Sequence, residues 1–220
     1  LLVRRRTQAV NALRAHLAEL GIIATAGLAK VEALVAIVRD ETDARLPAAA
    51  RFALMAIADE IEASADQIER LERAIIKEAK NDEDMRRLTT IPGVGAITAA
   101  TIKALVPDPG GFKSARHFAA WLGLTPRPHS SGGKERLGGI SKMGNPELRS
   151  LLVVGATAVL RVVRNDAQAR PWLKALLARR PFKVAAVAQA NKTARIIWAL
   201  LNKGGIYRRP HSPAITAVSV

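Results

Sequence analysis

One seam of apolar residues constrains this chain more than anything else in it. Leu54, Ile57, Ile61, Ser64, Ile68, Leu71 and Ile75 recur at steps that alternate between three and four. An α-helix brings such positions onto one face, whereas a strand would scatter them over two. Their neighbours are charged, so about Ala48 to Lys80 is expected to form one long helix with a coiled-coil stripe. Ser64 is the one polar seam position, suited to setting register or bending the helix. The stripe needs a partner, either the preceding helices of the same chain or another subunit. Periodicity leaves both open, because it does not identify the partner helix.

Two shorter helices are expected upstream. Arg4-Arg5-Arg6 opens the first, with Val10, Leu13, Leu17 and Leu20 on one face and Gly21 as its stop. The second runs through Val31, Leu34, Val35 and Val38, and Pro47 breaks the pattern after it. Aromatic residues make up only 4% of the 220, and signals for strands are few. The expected fold class is therefore all-α. Residues 1–86 read as a helical linker and dimerisation arm, 87–205 as a compact basic domain, and 206–220, with prolines at 210 and 213, as a disordered tail. Only Thr125 to Ile140 leaves room for short strands, since its prolines and glycines disfavour helix.

Charge divides the chain at Asn81-Asp82-Glu83-Asp84. Residues 1–90 hold 14 Lys/Arg against 15 Asp/Glu, while residues 91–220 hold 20 against 4 (Asp108, Glu135, Glu147 and Asp166). The whole surplus of +15 thus belongs to the second part, and its spread over structured segments points to a polyanion rather than to a basic tail. Cysteine is absent, which excludes a disulfide framework and thiolate metal sites and fits a reducing cytoplasm. No apolar run reaches membrane-spanning length, and no signal-peptide pattern is present. The chain opens on Leu1 rather than Met and reads as a fragment.

Two short stretches in the basic part carry chemistry. Ile91-Pro92-Gly93-Val94-Gly95-Ala96 is a tight turn opening onto the apolar run Ile97 to Val106. Gly93 and Gly95 permit positive φ and close backbone approach, and the unpaired amides of the helix that follows suit a phosphate. Leu88 to Pro107 then reads as helix, glycine turn, helix. That pattern is similar to the helix-hairpin-helix element, which grips nucleic-acid backbone without reading bases; a plain helical turn with small residues is the other reading. Downstream, Ser114 caps a helix from Ala115 to Leu122, where Trp121 at helical spacing from Phe118 belongs to the core.

The second stretch is Ser130-Ser131-Gly132-Gly133-Lys134, which leads into Ile140-Ser141-Lys142-Met143-Gly144-Asn145. A serine hydroxyl needs a base, a metal or dense positive charge to act as a nucleophile. Arg127 and His129 stand just upstream, Lys134 and Arg136 just downstream, and such a cluster suits a phosphate gaining negative charge. Taken alone, a Ser-Ser-Gly-Gly run is a flexible loop. Lys142 and Arg149 are further candidate phosphate ligands, while Asn145 caps the helix that Pro146 begins. A core helix (Leu151 to Val163) and a last helix follow. The last runs from Val184 to Leu201, with Lys192 and Arg195 on one side, Ile196, Ile197 and Leu200 on the other, and Gly204-Gly205 at its end.

The order IPGVG, AAWLGLTPR, SSGGK, ISKMGN and LR resembles the C-terminal half of a bacterial insertion-sequence transposase. Members of that family pair a Holliday-junction-resolvase-like N-terminal domain with a serine-bearing C-terminal domain. The likeness covers roughly Leu88 to Tyr207 well and the earlier helices loosely. It implies DNA transposition, with Ser131 as the nucleophile on DNA and Ser130 as the neighbouring rival. It also implies a guide RNA as partner and Mg²⁺ held by acidic residues of the N-terminal domain, without which this chain is expected to be inactive. Gly93, Gly95, Arg127, Lys134, Arg136, Lys142 and Arg149 are the expected nucleic-acid contacts. No cofactor or metal ligand is expected within this chain, and its partners are expected to be DNA, the guide RNA and further copies of itself. A non-catalytic helix-hairpin-helix module binding DNA or RNA is the competing reading.

Overall fold

The computed structural model describes residues 1–25, 27, 29–129, 133, 134, 136–165 and 171–208. Over these residues the chain is all-α apart from one small hairpin, as the composition and periodicity require. It divides into two compact units, Leu1–Ala74 and Ile75–Val220.

The first unit is built on α1 (Leu2–Glu19), α2 (Ala29–Arg39) and the greater part of α3 (Ala48–Asn81). Val10, Leu13 and Leu17 of α1 and Val31, Leu34, Val35 and Val38 of α2 close on Leu54, Ala58 and Ile61 of α3. The early part of the seam is therefore covered by the chain's own preceding helices. Ser64 is also buried, and its hydroxyl donates to Glu60 at 3.2 Å, one turn back. Farther along, cover runs out, and Leu71 is 54% exposed. Arg51 is the buried cation of this unit. Its guanidinium donates to the carbonyls of Ile37 and Val38 at 3.0 Å and of Asp43 at 2.6 Å, satisfying the open end of α2 and the loop after it. Arg39 adds ion pairs to Asp59 and Glu62 of α3.

The second unit begins within α3 and continues through α4 (Glu83–Thr89), α5 (Ala96–Leu105) and α6 (Ala115–Trp121). The hairpin β1 (Pro126–Pro128) and β2 (Leu137–Ile140) follows, then α7 (Pro146–Asn165), α8 (Pro171–Arg179) and α9 (Phe182–Lys203). Its core gathers Leu88, Ile91, Val94, Ile102, Phe118, Leu122, Leu148, Leu152 and Ile197. A second cluster joins Leu160 and Val163 of α7 to Leu173 and Leu176 of α8. Four of the seven buried residues of α9 are alanines (Ala185, Ala186, Ala190, Ala194), so the helix can lie close against its neighbours.

The caps at Ser114 and Asn145 fall where the sequence places them, and Asp82 of the boundary segment adds a third. Asp82 accepts from the Met85 amide at 2.9 Å, Ser114 from His117 at 3.3 Å and Asn145 from Leu148 at 2.9 Å. The acids of the boundary segment are engaged as well: Asp82 pairs with Lys103 of α5, and Glu83 and Asp84 with Arg87. Trp121 joins Phe112 and Phe118 in an aromatic cluster, with one edge left in solvent. β1 and β2 are antiparallel, with Pro126 opposite Ile140 and Pro128 opposite Leu137. Among the described residues no helix is long and apolar enough to cross a membrane.

Candidate nucleic-acid interface

The glycine turn after α4 forms as expected, but its two glycines have different tasks. Gly93 has φ +86°, and a Cβ there would lie 2.6 Å from the carbonyl oxygen of Gly155 in α7. A Cβ on Gly155 would in turn overlap the Gly93 carbonyl. The turn is thus seated backbone to backbone on α7, which only a pair of glycines allows. Gly95, in extended conformation at the N-cap of α5, has open space around its Cβ position and no side-chain cap. The first amides of α5 start from that uncapped position, which leaves the positive end of the helix dipole there.

The hairpin and the segment after it are held by backbone. Ser141 donates to the Thr125 carbonyl at 2.9 Å, and His129 donates to that of Arg136 at 2.7 Å. The Arg127 guanidinium reaches across to the Ser141 carbonyl at 2.6 Å. The His129 ring lies over Gly138, where a Cβ would sit 2.6 Å from an imidazole carbon. The ISKMGN segment then wedges against the end of α6. A Cβ on Gly123 or Gly144 would overlap the carbonyl oxygens of Met143 and Trp121, respectively. Lys142, in that wedge, has the left-handed φ of 56° that side chains rarely adopt, while its amide donates to Gly123 at 3.1 Å.

Opposite the hairpin stands the outer face of α9. Lys183, Val184, Val187, Asn191, Lys192, Arg195, Ala199 and Lys203 recur at helical spacing along it. Between the two lies a groove of about 1390 Å³. Its cations are Arg127 and Lys142 from the hairpin side and Lys183, Lys192, Arg195 and Lys203 from α9. No carboxylate is among the described residues that line it. Its floor is apolar, with Leu124, Ile140, Val187 and Ile196, and Trp172 of α8 stands in its wall. The Lys192 ammonium sits 4.2 Å from the centre of the Trp172 ring, a cation–π arrangement. Asn191 ties the two walls together by donating to the Leu124 carbonyl at 3.1 Å.

The expected contact residues are only partly gathered. Arg127 and Lys142 meet in the groove; Lys134 and Arg136 are exposed on the hairpin side of the domain. Arg149 is half-buried and donates to the Leu122 carbonyl at 3.1 Å, capping the end of α6. Ser130, Ser131 and Gly132 lie outside the described residues, so the expected nucleophile rests on the sequence resemblance alone. Ile196, read on the apolar side of the last helix, turns into the groove beside Lys192 and Arg195. Sequence reading missed Trp172, Lys183 and Lys203, although Lys192, Arg195 and Lys203, three and eight positions apart on one side of the helix, were a usable signal. Among the described residues no group of three or more His, Asp or Glu could hold a metal ion.

A cationic groove on a helical scaffold, with no carboxylate among its described lining residues, is complementary in charge to a polyanion. Residues 85–175 match the sequence model described as the Transposase IS116/IS110/IS902 family. Over most of its length the chain is also similar to proteins named as transposases. It is 44% identical to the putative transposase y4pF/y4sB of Sinorhizobium fredii over 98% of this chain and 56% of the relative. It is 46% identical to the probable family 20 transposase of Pseudomonas aeruginosa, over 94% of this chain and 62% of that protein. Identity to the transposase for insertion sequence element IS1111A of Coxiella burnetii is 42%, over 94% and 57%. The chain spans less than two thirds of the length of these curated relatives.

Proposed function

We propose that this chain serves DNA transposition as the nucleic-acid-binding and strand-cleaving portion of a longer transposase. One observation carries the reading: 42–46% identity to three proteins named as transposases, across at least 94% of the chain. The basic second unit, with its carboxylate-free groove, supplies the physical complement. Ser131 is the proposed nucleophile. Its Oγ forms a bond to a backbone phosphorus as one phosphorus–oxygen bond to sugar breaks. The departing strand end leaves as a hydroxyl, taking up a proton, while the serine proton passes to a base or to solvent. The serine phosphodiester conserves the bond energy for rejoining.

Arg127, Lys134, Arg136 and Lys142 neutralise the phosphate as negative charge gathers on it. Arg149 acts one step back, holding the end of α6 on which the Lys142 segment rests. The uncapped start of α5 at Gly95 offers amides to a neighbouring phosphate. Magnesium, which the family resemblance implies, finds no fitting set of carboxylates among the described residues, so no step is routed through it. A guide RNA selects the sites, and a second copy docks along the exposed Leu71 stretch of α3.

The test supplies the chain with the remaining N-terminal portion of such a transposase, guide RNA, Mg²⁺ and a suicide DNA substrate. Denaturing gels then read covalent protein–DNA adducts. The expected result is an adduct that Ser131→Ala abolishes and Ser130→Ala retains. The reverse pattern moves the role to Ser130. A recombining complex with no adduct overturns covalent catalysis and leaves a binding module.

A further inference from the structure

The groove between the hairpin and α9 has a mixed lining that a generic basic surface lacks. Cations stand along both rims, while the floor and one wall are apolar and aromatic. A duplex presents phosphate and sugar outward and keeps its bases stacked inside, so it would meet the rims and leave the floor unused. An unpaired strand has both kinds of surface to offer: a phosphate row for the cations and base faces for apolar and aromatic side chains. Trp172 is 38% exposed, with the Lys192 ammonium against its ring. The exposed Val184 continues the apolar surface on α9, and Gly139 in the facing strand has nothing within 4 Å of its Cβ position, leaving that wall flat.

We propose that this groove takes a single unpaired nucleic-acid strand, stacking a base on Trp172 and its phosphates along Lys183, Lys192, Arg195 and Lys203. The inference rests on the reading of the chain as the nucleic-acid-binding portion of a transposase, and it names the form of nucleic acid that this face holds. Strand opening accompanies any exchange of strands, so a binding face for the opened strand has a place beside the serine chemistry. Stacking makes the site tolerant of sequence, because every base has a face to offer.

The experiment uses the intact chain and fluorescence anisotropy with labelled mixed-sequence single strands, DNA and RNA, and the matching duplex. The wild type is expected to bind single strands more tightly than duplex. Trp172→Ala should weaken the single strand by about 10-fold or more, the range one stacked base contributes, with little change for duplex. The double change Lys192→Ala and Arg195→Ala should do at least as much. Arg179→Ala with Arg180→Ala removes two charges outside the groove and should leave the preference intact. Trp172→Phe, which keeps a stacking face, should recover most of the affinity and guards against misfolding, with circular dichroism checked for every variant. Equal losses from the groove and control pairs, or equal losses for single strand and duplex, overturn the proposal while nucleic-acid binding stands. A chain that binds no nucleic acid overturns both the proposal and the reading beneath it.

Discussion

At the scale of the residue, what a side chain lacks decides as much as what it carries. Gly93 and Gly155 meet where neither can carry a Cβ, and the whole glycine turn is positioned by that contact. Gly93→Ala or Gly155→Ala is expected to lower stability by about 1–3 kcal/mol, the usual cost of overpacking a close contact. Gly95→Ala, in open space, meets no clash and should cost less, about 0.5–1 kcal/mol from the poorer N-cap alone. Urea unfolding of the intact chain reads all three, and equal midpoints would refute the packing argument. The conformational freedom of Gly93 is visible in the sequence; its partner is not, because Gly155 lies in an apolar helix where nothing marks it as a contact. Arg149 shows the same blindness. A basic residue near a serine loop reads as a phosphate ligand, yet its acceptor is the Leu122 carbonyl, 27 positions earlier.

Among the elements, α4 depends on its cap. Asp82 accepts from Met85 and pairs with Lys103, and the Lys103 hydrogen bond, followed by the Met85 amide, holds its carboxyl below the ordinary value of 3.8. A depressed folded value means stability that is complete above the unfolded value and lost as pH falls through the folded one. Asp82→Ala is therefore expected to cost about 1 kcal/mol at neutral pH. The gap to wild type should narrow below pH 3.8, as followed by urea unfolding at neutral and acid pH. A gap that stays constant would show that the charge on Asp82 contributes nothing. The long helix, the two before it, the caps at Ser114 and Asn145 and the allowance for strands near Thr125 were legible, since each rests on local periodicity or turn chemistry. The groove was not. One wall is a helix face and the other a hairpin, and Asn191 reaches Leu124 across 67 positions to join them. No local pattern encodes that pairing.

For the whole molecule, the uneven charge makes a further expectation. The first 90 residues are nearly balanced, and the surplus lies beyond them. Nucleic-acid affinity of the intact chain should fall steeply with salt, by about 0.7 in log–log slope for each phosphate engaged on a single strand. Removing Arg195 should reduce the slope by about one such step, as titrations at several salt concentrations would show; a flat salt response would rule out phosphate contact as the source of binding. The small hairpin bears on how such a charged domain keeps its own company. Thr125 and His129 direct their backbone toward β2, so Pro126 and Pro128 occupy the places whose amides would face away from it. Proline has no amide hydrogen to offer, and an edge that presents carbonyls without donors cannot be extended by a regular ladder. Among the described residues the outer edge of β1 is thus closed to growth by its own sequence, so that side of the hairpin does not recruit the hairpin of another copy.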